Sequence, residues 1–438
     1  MPPDRKARTG SQCGLPRAGS LPLMPVPAVL VPLRHRDFRL LLTGQTVSSF
    51  GNAVKSVALP FQLLALGASP LQLGIAVGLS TAASVAFLLL GGAIADRIPR
   101  RTLILASDLV GGFVVALVAL LSGSGQLRIE HVYVAAVALG AAEAFLSPAY
   151  NAIIAELVPG DVLRAGNATR LLGRSLARIA GPPIGGLIVA LAGPAAAFGL
   201  DALTFAFSFG TLLLAKPSRA GAANAMPILR DIRDGIGHVF SVPWVWTTIL
   251  YFMLVNVAYA GQSGVMTPLL VRDTLGGGAG VFGLISGAYG VGTIVASVAV
   301  AQLAIRRPGR LLYAFELLAA LSVVGIGLAP ALPSVIALIA LTGVGLSSST
   351  VIWQAMLQRH VPERMLGRVS SIDLLGNSVI NPAAPLVAAT LVAAVGPPSA
   401  FVIAGVYATA LASIGLVASP LARMAEADRI GPSGDPLP

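Results

Sequence analysis

Residues 374–422 read LLGNSVINPAAPLVAATLVAAVGPPSAFVIAGVYATALASIGLVASPLA, 49 positions without one charged side chain. About 20 apolar residues cross a bilayer as a helix, so this stretch is long enough for two crossings, and Gly396-Pro397-Pro398 marks the turn between them. Ser56 to Ala95 (40 residues) and Leu317 to Gln358 (42 residues) repeat the pattern, breaking at Gly67 to Pro70 and at Pro330 with Pro333. Working outward from these runs predicts spans near 39–65, 71–94, 102–122, 131–154, 168–191, 197–215, 243–268, 280–305, 311–329, 334–357, 370–394 and 400–419. The expected fold class is an all-α membrane protein with twelve transmembrane helices.

Composition agrees. The 438 residues are 55% apolar and 11% charged, with mean hydropathy +0.84, whereas soluble domains carry about 25% charge. The soluble classes are excluded. A net charge of +11 could suggest nucleic acid, but a nucleic-acid protein gathers its basic residues on one face or arm. Here they stand in short clusters between apolar runs, so no nucleic-acid partner is expected. The single cysteine, Cys13, permits no internal disulfide.

Twelve spans place both termini on one side, and the distribution of Lys and Arg tests that count. Of the 29 basic residues, 26 fall in the N-terminus, the C-terminus and alternate loops, with Arg39, Arg170, Arg174 and Arg178 of the adjoining span ends credited to that side. The other loops hold only Arg128 and Arg272, and Lys55 lies within the first span. Both termini are therefore expected in the cytoplasm, with the protein in the plasma (inner) membrane. The expected organisation is a disordered cytoplasmic tail at 1–33, a six-helix half at 34–215, a cytoplasmic linker at 216–242, a second half at 243–420 and a tail at 421–438.

A shift of 203 aligns residues 158–198 with 361–401 without a gap, and 15 of the 41 pairs are identical. Leu171-Leu172-Gly173 matches Leu374-Leu375-Gly376, Pro182 matches Pro385, and Gly193-Pro194 matches Gly396-Pro397. The shift joins span 5 to span 11, six spans apart, which predicts two parallel six-helix repeats about an axis along the membrane normal. Transporters built this way hold their substrate near the midplane between the halves.

Between spans 2 and 3 stands Gly92-Ala-Ile-Ala-Asp96-Arg97-Ile-Pro-Arg100-Arg101. Its glycine allows close helix approach and its arginines anchor the loop to the cytoplasmic face. The string resembles the signature loop of the major facilitator superfamily, with Ile94 in place of Leu and Pro99 in place of the second Gly. The resemblance implies that Asp96 and the arginines Arg97, Arg100 and Arg101 form a cytoplasmic latch between the halves. In span 5, Gly181-Pro182-Pro183-Ile-Gly185-Gly186 resembles the antiporter motif of exporters that exchange substrate for protons. With Ser147-Pro148-Ala149, Glu156-Leu157-Val158-Pro159 and Ala165-Gly166-Asn167-Ala168, the chain is similar to the drug/proton antiporter branch that includes macrolide efflux proteins and enterobactin exporters.

Ionisable residues deep in a bilayer are costly and are functional candidates. Asp108, Glu316 and Asp373 lie near predicted cytoplasmic ends and Asp201 near an outer end, where capping and loop pairing are the expected roles; Ser370 and Asp373 have capping-box spacing. Lys55 in span 1 and Glu143 in span 4 fall near mid-membrane. The family resemblance implies that spans 1, 4, 7 and 10 line the central cavity. Glu143, Ser147 and Tyr150 share one helix face, as do Asn52 and Lys55. Glu143 is the expected protonation site and Lys55 its partner or a competitor for substrate; the alternative is a fixed ion pair fastening spans 1 and 4. Asn256, Tyr259, Gln262 and Ser263 in span 7, with Thr350, Trp353 and Gln354 in span 10, supply a polar and aromatic lining. Interhelical hydrogen bonding is the plainer role for any one of them.

No lysine follows a glycine as a phosphate-binding loop requires, and the four histidines have neither metal spacing nor a nucleophile elbow. No enzyme activity, metal or cofactor is expected beyond a proton gradient. The reading is a monomeric transporter, surrounded by membrane lipid, exporting a small amphipathic molecule or siderophore against protons. The alternatives are an importer or facilitator of the same fold, or a membrane receptor or assembly protein that transports nothing.

Overall fold

The computed structural model describes residues 30–95, 98–215, 237, 239–302, 305 and 307–423. The tails at 1–29 and 424–438, most of the linker, and Asp96 with Arg97 lie outside the described residues. The described residues form helices and no strand.

Helices α1 (Arg36–Ala65), α2 (Pro70–Ala95), α3 (Arg100–Gly123) and α4 (Ile129–Leu157) are continuous. The helix Leu163–Leu214 is two crossings, because Gly193 at φ 78° turns the chain; we name its parts α5 (163–192) and α6 (194–214). Next, α7 runs as Pro243–Tyr259, a π-helical turn at Gln262–Met266, and Thr267–Asp273. Then follow α8 (Ala279–Gln302), α9 (Pro308–Leu328) and α10 (Leu332–His360). The eleventh crossing, α11, breaks between Glu363–Ile380 and Ala384–Val395, and α12 is Pro397–Ala418. Ten stretches of the described residues are long and apolar enough to span a membrane. Dividing Gly160–Leu214 and adding the more polar α1 brings the crossings to the expected twelve.

The turns are built alike in both halves. Gly193 and its repeat-mate Gly396 adopt φ of 78° and 79°, conformations open to a residue without Cβ. The following Pro194 and Pro397 open the next helix, a position where the missing N–H leaves no bond unmade.

Packing obeys the same twofold. The pairs α2 with α4, α3 with α4 and α3 with α6 recur as α8 with α10, α9 with α10 and α9 with α12. Between the halves, α5 meets α8 and α2 meets the second segment of α11. Glycines make both seams close. A Cβ at Gly283 of α8 would stand 2.6 Å from the Pro182 carbonyl oxygen, and one at Gly74 of α2 would stand 2.8 Å from that of Pro385, the repeat-mate of Pro182. Gly74 and Gly78 lie in the first turns of α2, as Gly283 and Gly287 do in α8. Both seams therefore lie toward the face opposite the one bearing Arg100, Arg101, Arg307 and Arg310, called the basic face below.

Candidate functional site

Lys55 projects from α1 toward α6. Its Nζ stands 3.2 Å from Asp201 Oδ2, and the Asp201 side chain is wholly buried. Lys55 also donates a hydrogen bond to Asn52 Oδ1 at 2.6 Å and lies 5.7 Å from the Phe205 ring centroid. Gly51 permits this approach, for a Cβ there would press on Thr204 and Asp201. The expected pairing of Lys55 with Glu143 is thus replaced by Lys55 with Asp201. Depth along one helix could not reveal that partner. Asp201 lies seven residues into α6, about 10 Å at 1.5 Å per residue, so the terminal role expected for it fails as well.

Glu143 is exposed and makes no hydrogen bond or ion pair with any described residue. Arg174 and Lys55 both act on it through their charge. Of the residues expected to share its face, Ser147 is half-buried and Tyr150 is buried. Tyr150 lies under the Arg170 guanidinium, 5.6 Å from ring centroid to cation. Arg170 also donates to Asn151 Oδ1. Arg170, Arg174 and Arg178 recur every four residues along α5, and Arg174 and Arg178 are exposed. Arg174 acts on Glu143 and Tyr150 of α4, and Arg178 on Tyr289 of α8. This arginine column was legible in the helical spacing. It was missed because the positive-inside count credits those arginines to the basic face.

In the second half the polar residues are engaged with one another. Asn256 donates to Asn377 Oδ1 at 2.8 Å, Asn377 donates to Asp373 Oδ1 at 3.1 Å, and Trp353 Nε1 donates to Asp373 Oδ2 at 3.1 Å. Asp373 therefore ties α7, α10 and α11 together and caps no helix. Glu316 of α9 is likewise interior, accepting from Ser349 Oγ at 2.5 Å and Tyr251 Oη at 3.1 Å. Its counterpart Asp108 of α3 accepts from Ser208 at 2.7 Å and from Gln45 at 3.4 Å. The capping expected of Asp108 and Glu316 gives way to cross-helix bonding, since a buried carboxylate must have donors. Gln262 opens the π-helical turn and donates to the Ala258 carbonyl, while the buried Tyr259 hydroxyl has no hydrogen-bond partner among the described residues. Thr350 and Gln354 are exposed, Thr350 bonding its own helix at Leu346.

The two sequence motifs have different structural fates. Arg100 contacts Glu156 Oε1 at 2.5 Å and the Ala152 carbonyl at 3.2 Å, both on α4. Arg101 donates to the Leu212 and Leu213 carbonyls at the end of α6. Both arginines thus bind within the first half, not across to the second, as suits halves that meet toward the opposite face. Gly92 lies in the last turn of α2, which runs to Ala95, and Asp96 with Arg97 falls outside the described residues. The Gly181-Pro182-Pro183-Ile-Gly185-Gly186 string is a packing element with two sides. Gly181 and Gly185 lie against Ala53 and Val54 of α1, while Gly186 and Pro182 lie against Ala279 and Gly283 of α8. It is the element through which α5 holds one half to the other.

A family model described as transmembrane secretion effector matches residues 28–345. Enterobactin exporter EntS of Escherichia coli O1:K1 is 30% identical over 349 residues, covering 77% of this chain and 81% of its own; the protein of the same name from E. coli O45:K1 matches equally. Among solved structures, a bacterial homologue of the human lysosomal transporter Spinster, inward-facing and occupied, superposes with TM-score 0.69 at 14% identity, covering 89% of this chain and 96% of that one. A POT family transporter in complex with 5-aminolevulinic acid gives TM-score 0.68 at 16% identity, with coverage of 89% and 97%. An inward-facing bacterial homologue of the iron transporter ferroportin gives 0.63 at 17% identity, with coverage of 86% and 99%. At those identities the likeness concerns the fold.

Proposed function

The chain belongs to the transmembrane secretion effector family of major facilitator transporters, and on that footing we propose that it exports a small amphipathic molecule, a drug or siderophore, by alternating access driven by inward proton flow. It is a membrane transporter and not an enzyme. In this reading the basic face is cytoplasmic, because Lys and Arg are retained there, and the conformation described is open toward the cytoplasm. A single copy surrounded by lipid performs the cycle, and the proton gradient supplies the energy without a bound cofactor.

The observation that carries the reading is the set of titratable groups in the first half, next to seams that join the halves toward one face. Lys55 and Asp201 form a buried pair across α1 and α6. A proton on Asp201 would neutralise the acid, leave Lys55 unmatched and loosen that tie. Breaking a buried pair in this way is costly enough, about 3–5 kcal/mol, to shift a balance between two conformations. Glu143 is the second candidate for coupling, favoured by its exposure and its freedom from a direct partner.

The test is transport in sealed vesicles under an imposed pH gradient, with a panel of neutral, cationic and anionic fluorescent amphiphiles and a pH indicator inside. Wild-type protein should concentrate at least one dye with the gradient and move protons as it does so. Asp201→Asn should still equilibrate the dye but no longer concentrate it. If Glu143→Gln shows that defect instead, the coupling belongs to Glu143. If every dye is ignored, or both variants respond to the gradient as wild type does, the proton-coupled reading fails.

A further inference from the structure

Arginine is among the costliest residues to hold inside a membrane without an anion, yet α5 carries three at four-residue intervals. Counted from Leu163, Arg170, Arg174 and Arg178 lie about 10, 16 and 22 Å along a helix of about 45 Å in thirty residues. The column thus runs from the basic side into the middle of the bundle. Its near end is engaged, by Asn151 and the face of Tyr150. Its far end is not: Arg174 and Arg178 are exposed and make no hydrogen bond or ion pair with any described residue. The charges and titratable groups that act on them come from α4, as Glu143 and Tyr150, from α8, as Tyr289, and from α5 itself, as the like-charged Arg170 beside Arg174. Lys55 also acts on Glu143, but its own charge is matched by Asp201. One acid therefore faces two free guanidinium groups.

The repeat supplies an independent comparison. At a shift of 203 the three arginines correspond to Asp373, Asn377 and Asn381. On α11 the first two of these are bonded to Trp353, Asn256 and each other. The scaffold therefore builds this helix without cations at those three positions, and the far end of the α5 guanidinium column serves something other than helix packing.

We propose that the cargo is an amphipathic organic anion whose carboxylate, sulfonate or phosphate group is held by Arg174 and Arg178. The guanidinium fork pairs with two oxygens of such a group at once, and the two side chains, one turn apart, can grip it from the α4 and α8 sides. Glu143 is the countercharge that acts on Arg174 through its field without pairing to it, and it competes with the cargo for that guanidinium. This rests on the exporter reading above and narrows it. It also separates the two acids by sign. A proton on Glu143 removes a competitor and tightens the anion, which exchange forbids. Proton influx therefore acts at Asp201, through the packing of α1, while Glu143 belongs to the cargo.

The test uses the purified full chain in phosphatidylcholine nanodiscs and two dyes of one skeleton, the anionic 8-anilinonaphthalene-1-sulfonate and the neutral N-phenyl-1-naphthylamine, each corrected for binding to empty discs. Wild type should bind the sulfonate about tenfold tighter or more, as expected for one charge-assisted bidentate pair. Arg174→Gln with Arg178→Gln should erase that preference and leave the neutral dye unchanged, and Glu143→Gln should tighten the sulfonate. Equal binding of the two dyes by wild type, or an unchanged preference in the double variant, overturns the proposal. Should the double variant fail to fold, and so lose both dyes, the wild-type ratio and Arg178→Gln alone decide. An anionic lipid headgroup offers the same chemistry; displacement of the sulfonate dye by added phosphatidylglycerol would assign the column to lipid and overturn the cargo assignment. Binding at equilibrium is scored apart from transport: discs that prefer the anion and vesicles that concentrate nothing would sink the exporter reading and leave the anion site standing.

Discussion

Helices α5 and α11 occupy equivalent places in the two halves, share their flanking Val-Pro and Gly-Pro pairs, and carry opposite chemistry along one face. On α11, Asp373 and Asn377 are bound up with Trp353 and Asn256. On α5, the matching Arg170 is held by α4, whereas Arg174 is exposed without a direct partner among the described residues. The difference teaches that duplication preserved the backbone plan and freed the side chains. The second half closes its polar groups on one another and keeps its shape, while the first leaves charge unspent where a ligand could meet it. The rest of the first half supports the contrast, since its buried ion pair Lys55–Asp201 has no counterpart among the described residues of α7 and α12.

The largest effect expected comes from breaking that asymmetry at its centre. Lys55→Met leaves Asp201 buried without its cation and should cost about 3–5 kcal/mol, read as a fall in the thermal midpoint of the purified protein. Lys55→Met with Asp201→Leu should recover most of it; a double variant as unstable as the single would mean the pair matters for packing alone. Next come the seams, where the halves should behave alike. Gly283→Val and Gly74→Val each force a side chain onto a neighbouring proline carbonyl and should each cost about 1–3 kcal/mol by overpacking. Unequal losses would break the twofold correspondence. In the second half, Trp353→Phe removes one donor from Asp373 and should cost about 1 kcal/mol while gradient-driven transport persists; loss of gradient response would put function in the half assigned to shape. Smallest is Arg100→Gln. Its pair with Glu156 is partly exposed, with side chains 29% and 12% accessible, so a change under about 1 kcal/mol is expected.

Much of the architecture was legible in the amino-acid order because lipid imposes it. The charge-free runs, the Gly-Pro turns and the alternation of basic loops each report the bilayer directly, and the matched prolines of spans 5 and 11 report the repeat; that Pro182 and Pro385 form the seams is seen only in the structure. The site was less legible, for two physical reasons. Depth along a helix says how costly a charge is, not which neighbour answers it, so Lys55 was matched with Glu143 when Asp201 of α6 lies across Gly51. The basic-loop rule treats every arginine near a cytoplasmic end as topogenic, so it absorbed Arg174 and Arg178 although both fell inside the span predicted at 168–191. Polar residues such as Asp108 and Glu316, which resembled helix-end residues by position, proved to be interior because donors on two neighbouring helices reach each.

The account turns on two like scaffolds rocking about the charged space between them. Spin labels on a Cys13→Ser background test this directly, placed at repeat-mates near the basic face, Asp161→Cys with Arg364→Cys, and near the opposite face, Leu191→Cys with Ala394→Cys. Pulsed dipolar distances between high and low pH should change in opposite senses, the basic-face pair drawing together as the other pair separates. Distances that stay fixed in both pairs, or that shift in the same sense, would contradict it.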